Sequence, residues 1–164
     1  MWVIRRPAAR VVLLNEQGRI FMMKASDPAD PYKPSWWEIP GGGAGFNESL
    51  ADAARRELYE ETGISKVAMG PCIWTQYVEF EFGGMRFESD ESIFLARTEG
   101  ELEWQPQKLE ALEAAAFEGA RWWEPRDLLA SSEPVLPERL REFLPQILEG
   151  EIPKTPLDIS VDLS

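Results

Sequence analysis

The chain contains no histidine and a single cysteine, Cys72. Without imidazole there is no His base, no Ser-His-Asp triad and no His-ligated zinc. One thiol leaves neither an internal disulfide nor a cysteine cage for a metal. Basic side chains are scarce as well: 17 Lys and Arg stand against 29 Asp and Glu, a formal charge of −12. Coating a nucleic-acid polymer needs clustered cations, so no such partner is expected. Small anionic substrates stay open, because a divalent cation between a carboxylate and a phosphate reverses the local sign. No apolar run approaches the ~18 residues of a membrane span, and the one after Arg5 and Arg6 is too short for a secretory core. A soluble cytoplasmic protein with no membrane partner is the expectation. Its acid–base or metal chemistry must run on Asp and Glu.

What is present suits one folded domain. The 164 residues are 44% hydrophobic and 11% aromatic, enough for a core. The expected division is a domain over 1–150 and a C-terminal tail, exposed or docked, over 151–164. "AARVVLL" and "RIFMMKA" flank the turn "NEQGR" and read as a hairpin. "WWEIP" is a short strand and "GGGAG" a flexible turn. A helix is expected from about Asn47 to Thr62, with Asn47 as cap, Glu48 in its first turn and Gly63 as its stop. Strands follow over 72–82 and 85–98; the first either lies inside the sheet or pairs two chains into a homodimer. Helical propensity over 108–117, a strand over 120–124 and a helix opened by Pro125 come next. Leu140, Phe143, Leu144, Ile147 and Leu148 fit an amphipathic helix that Pro145 should kink or split. Strands around a helix, then more helices, predict an α/β protein with a mixed sheet.

The helix over 47–62 carries an anomaly. At about 100° per residue, with Leu50 at zero, Ala54 and Leu58 define an apolar stripe near 40° and 80°. Glu57 and Glu61 fall at about −20° and 20°, on or beside that stripe. Glu60 lies to the side. Acids so placed repel one another and cost several kcal/mol unless a cation compensates. Arg56 can reach Glu60, Glu48 or Glu57 but cannot neutralise three acids. Mg²⁺ takes a few carboxylates and keeps waters for a phosphate-bearing substrate.

Gly42, Glu48, Arg56, Glu57, Leu58, Glu60, Glu61, Gly63 and Ile64 carry a spacing that resembles the box of the Nudix hydrolase family. The resemblance implies an α/β/α sandwich and a divalent-metal-dependent hydrolase. Such enzymes cleave the pyrophosphate linkage of a nucleoside diphosphate derivative. By the same resemblance Glu57, Glu60 and Glu61 ligate Mg²⁺ or Mn²⁺ with a carbonyl at Gly41, and Glu113, with Glu110 as alternative, adds a late acid. Arg56 and Glu48 hold loop and helix in register, and one glutamate, with Glu57 preferred, orients or deprotonates the water. Lys24, Arg86, Arg5, Arg6 and Arg10 are candidate phosphate contacts, and Trp36, Trp37 or Tyr77 could stack a base. The substrate-binding set is taken as Lys24, Trp37 and Arg86. Marks of coenzyme A, NADH, ADP-ribose and dinucleoside polyphosphate enzymes are missing, Val78 to Glu81 standing where two of them would fall. A nucleoside triphosphate or similar small nucleotide is the residual expectation. The alternative is a nucleotide-binding module on the same fold that does not cleave.

Overall fold

A computed structural model describes residues 1–162. The chain runs β1 (Val3–Leu14), β2 (Ile20–Ala25), β3 (Trp36–Glu38), β4 (Gly41–Gly43), α1 (Leu50–Thr62), β5 (Ala68–Phe82) and β6 (Met85–Arg97). It continues through α2 (Ala111–Ala116), β7 (Phe117–Trp123), α3 (Pro125–Ala130), β8 (Val135–Leu136), α4 (Leu140–Leu148) and β9 (Leu157–Asp158). The strands form one mixed sheet in the order β8-β3-β2-β1-β6-β5-β9, with β4 added on β1 and β7 on β2.

β1 explains the architecture. Its residues from Val11 to Leu14 are all buried, as in a strand covered on both faces. Side chains alternate in direction. Val11 and Leu13 therefore pack in a cluster with Ala53, Ala54 and Leu58 of α1, while Val12 and Leu14 join Leu128 of α3 and Leu140, Leu144 and Ile147 of α4. Helices thus cover the two faces of an α/β sandwich.

Several expectations shift. The first two strands touch only at Leu14↔Ile20, so the "hairpin" splays at once and β1 runs instead parallel to β6 from Val3 to Leu14. The glycine run is not a free turn: Gly41–Gly43 pairs with Ala8–Arg10. The helix begins later than expected. Ser49, not Asn47, is the N-cap, its hydroxyl accepting the Asp52 N–H at 3.1 Å, and Asn47 sits at φ 59° in the loop. Glu48 therefore precedes the first turn. Gly63, at φ 80°, closes the helix as expected. Pro145 lies inside α4 without ending it; burial of Leu140, Leu144 and Ile147 on one face outweighs the lost backbone bond. The tail is docked. β9 lies parallel to β5 at Trp74–Thr75, the Ile159 N–H donates to the Thr75 carbonyl at 2.8 Å, and the Ile159 side chain is buried in the core. Among the described residues no helix is long and apolar enough to cross a membrane.

Candidate active site

The site forms where α1 ends against the glycine strand. Ala53 and Ala54 have no exposure and Leu58 is buried with them, which seats α1 on β1 and carries Glu57 and Glu61 toward Gly41 and Gly42. Space there is short. A Cβ on Gly42 would lie 2.7 Å from the Glu57 carboxyl, and one on Gly41 would lie 2.4 Å from the Ala9 carbonyl oxygen. Gly41 also takes φ 152°, which L side chains rarely adopt.

Glu61 is 1% exposed. One of its carboxylate oxygens, Oε1, accepts the Gly41 N–H at 2.8 Å; the other, Oε2, is buried with no hydrogen-bond partner among the described residues. Glu57, Glu61 and Glu113 bring one oxygen each within 4.8 Å of the others. Burial first, then the neighbouring charges of Glu113 and Glu57, pushes the Glu61 carboxyl well above the usual carboxylate range. Burial likewise raises Glu57, with Arg56 opposing, and raises Glu113. Three hard oxygen donors with an unpartnered lone pair among them suit Mg²⁺ or Mn²⁺ chemically.

Arg56 organises the surrounding acids. It meets both oxygens of Glu48, at 2.8 and 2.9 Å, and donates to the Gly43 carbonyl at 3.0 Å. Its Nη1 reaches Glu57 and Glu60, each at 3.0 Å. Glu48 also accepts the Gly45 N–H at 2.8 Å. The Arg56 hydrogen bonds, with that amide, hold the Glu48 carboxyl down at about 2. Arg56 and Glu48 thus tie loop, β4 and helix together. Glu60 is turned to Arg56 and stands outside the trio of close carboxylates. Glu113 lies in the first turn of α2, where it and Glu110 form a capping box.

A cleft of about 1050 Å³ opens from this cluster. Gly41, Glu57, Glu61 and Glu113 line it, but Lys24, Trp37 and Arg86 do not. Strand alternation explains Trp37: Trp36 and Glu38 line the cleft, while Trp37 packs edge-to-face on Trp123 at 5.3 Å. Lys24 lies 5.8 Å over the Trp37 ring, and Arg86 pairs with Glu79 at 2.5 Å and Glu88 at 3.4 Å. Arg6, Arg10, Trp36 and Tyr77, weighed beside them from sequence, do line the cleft. Lys33, Glu38, Gln76 and Glu91 line it too and were not among the residues expected there. Only the alternation through "FESDESIFL", which puts Glu91 in line with Ile93, marks one of them as inward-facing.

These features define an α/β protein that gathers three carboxylates at a helix end beside a glycine-lined cleft. The family model for the NUDIX domain matches residues 4–147, and the chain belongs to the Nudix family. Over 64 residues it is 42% identical to the RNA pyrophosphohydrolase of Caulobacter vibrioides, covering 39% of this chain and 36% of that protein. The counterpart from Novosphingobium aromaticivorans is 43% identical over 60 residues, 37% and 35% of the two chains. The aligned stretch thus spans little over a third of these relatives' length. Among solved structures, the MutT protein of Methanosarcina mazei Go1 superposes with a TM-score of 0.57 at 21% identity, covering 92% of this chain and 95% of that one. The Ap4A hydrolase of C. elegans, solved as a binary complex, gives 0.61 at 19%, covering 90% and 98%. At such identities the likeness is one of fold.

Proposed function

We propose that the protein is a divalent-metal-dependent hydrolase that cleaves the pyrophosphate linkage of a nucleoside diphosphate derivative. The observation that carries this reading is Glu61, whose Oε2 is buried with no hydrogen-bond partner among the described residues and whose carboxylate brings one oxygen within 4.8 Å of one each from Glu57 and Glu113. An unpaired charge in that position costs stability and persists where a cation answers it. Glu57, Glu61 and Glu113 would hold Mg²⁺ or Mn²⁺, with Gly41 beside them. When bound, the ion supplies Lewis-acid polarisation of phosphoryl oxygens and a lower water pKa.

The chain's own groups do the rest. Arg56 holds Oε1 of Glu57 at 3.0 Å, which fixes the carboxylate; Oε2 has two lone pairs, one that would face the ion and one that would take a proton from water. Burial raises the Glu57 pKa, with Arg56 opposing, which makes the carboxylate a stronger base than a solvated one. The water oxygen then bonds to phosphorus as a bridging P–O bond breaks and the leaving phosphate carries off the electron pair. Gly41 and Gly42 keep that approach clear of side chains. A nucleoside triphosphate or related small nucleotide in the cytoplasm is the favoured substrate. Relatives named RNA pyrophosphohydrolase bring RNA into the test as well.

The test is a panel of nucleoside triphosphates, dinucleoside polyphosphates and 5′-triphosphorylated RNA with Mg²⁺, run on the wild type and Glu61→Gln. Metal-dependent phosphate release that falls by about 100-fold or more in the variant is expected. Equal rates in the two proteins would remove Glu61 from the metal site, and binding without turnover on every substrate would favour a non-catalytic module.

A further inference from the structure

Arg10 occupies an unusual place for a charged residue. On β1 it is opposite Gly41, and a Cβ on that glycine would lie 2.5 Å from the Arg10 Cγ. The side chain therefore crosses the residue whose N–H binds Glu61, and it enters the cleft 17% exposed. Its Nε donates to Oε2 of Glu91 at 2.9 Å, while Nη1 stands 3.6 Å from Glu38. A guanidinium has five N–H donors. Among the described residues, only one of them is spent at hydrogen-bond distance.

The carboxylates behind it are themselves fixed. Glu91, 3% exposed, accepts Nε2 of Gln76 at 2.7 Å, and Glu38 accepts the Trp36 Nε1–H at 3.0 Å. Four strands, β1, β3, β5 and β6, thus set the direction of one guanidinium. An arginine recruited solely to neutralise Glu91 would meet it with two parallel N–H groups, the favoured bidentate geometry. Here Glu91 takes Nε on Oε2 and Gln76 on Oε1, and among the described residues no hydrogen bond joins it to the outer nitrogens.

We infer that Arg10 is a substrate-binding residue whose outer N–H donors take a phosphoryl oxygen of the diphosphate, Glu91, Glu38 and Gln76 acting as its positioning residues. The inference rests on the hydrolase reading, because it needs the diphosphate beside Glu61. A phosphate offers acceptors only, in a spacing that a planar guanidinium matches and a lysine ammonium does not. The mixed edge of a nucleobase is the competing occupant.

The test uses Mg²⁺ with methylenediphosphonate, which cannot be hydrolysed, and separately with adenosine and guanosine, titrated by calorimetry. Arg10→Lys keeps the charge and loses the fork. Arg10→Met with Glu91→Gln and Glu38→Gln removes the guanidinium and both carboxylates facing it together and guards against simple misfolding. Both are expected to bind the diphosphonate about 10-fold to 100-fold more weakly, the yield of one or two charge-assisted hydrogen bonds, with nucleoside affinity unchanged. In the wild type, the Arg10 side-chain nitrogen resonances should move on adding the diphosphonate. Diphosphonate affinity within about twofold of wild type in folded variants, a loss confined to the nucleosides, or unmoved Arg10 resonances would overturn the inference. Wild-type binding with no turnover of any panel substrate would instead sink the hydrolase reading alone.

Discussion

Gly42 and Glu57 share one space: a Cβ on the glycine would lie 2.7 Å from both the carboxyl carbon and Oε2 of the glutamate. Oε1 of that glutamate is held by Arg56 at 3.0 Å, so the carboxylate cannot swing away without loss. The obstacle is the end of a side chain rather than backbone. Gly42→Ala should therefore fold and melt close to the wild type while displacing Glu57, lowering kcat by about 100-fold, the scale of an ångström-sized misplacement. Unchanged kcat would mean that Glu57 does not need its present position.

Glu61→Gln should separate stability from metal binding. The burial-raised pKa means that, in metal-free protein, Glu61 favours folding below the usual carboxylate range and loses that contribution as pH rises through its folded value. Gln removes the charge, and its amide can donate toward Glu57 or Glu113. The metal-free variant should be more stable than metal-free wild type at pH 8 by about 1–3 kcal/mol. The rise in melting temperature on adding Mg²⁺ should be absent from the variant. Thermal unfolding at pH 5 and 8, with and without metal, checks both statements.

Glu48 behaves in the opposite sense. Arg56 and the Gly45 N–H hold it at about 2, so its contribution is present above the usual carboxylate range and is lost as pH falls toward 2. Glu48→Gln should lower the melting temperature at pH 7, and the gap to wild type should close progressively below pH 4.5. A gap independent of pH would show that ionisation of Glu48 contributes nothing.

The docked tail gives a prediction about stability. Ile159 is fully buried beyond the residues matched by the family model. Ile159→Ala should cost about 2–5 kcal/mol, read as a lower urea midpoint with an unchanged slope. A surface effect of under about 0.5 kcal/mol would mean that β9 does not hold the tail.

How much of this was legible depended on the kind of signal. Glu57 and Glu61 could be read because a helix repeats at a fixed angle, and an acid on the apolar stripe stands out. Glu60 resembles them in spacing, yet Arg56 draws it aside at 3.0 Å, a competition that spacing alone does not reveal. The sheet was legible as apolar runs, but not the parallel pairing of β1 with β6, which joins segments some 80 residues apart. Trp36 and Trp37 are equal by composition. Which one faces the cleft follows from the register of β3, fixed by Met23↔Glu38 and Ala25↔Trp36. Half-buried Glu38 and buried Glu91 each look like an ordinary strand acid until Arg10 is placed between them.

The most direct measurement is an anomalous difference map from a crystal grown with Mn²⁺. Strong density among the carboxylates of Glu57, Glu61 and Glu113, lost in Glu61→Gln, is the predicted result. Density elsewhere with the three side chains unmoved, or none at all from a preparation that hydrolyses its substrate with Mn²⁺, would contradict it.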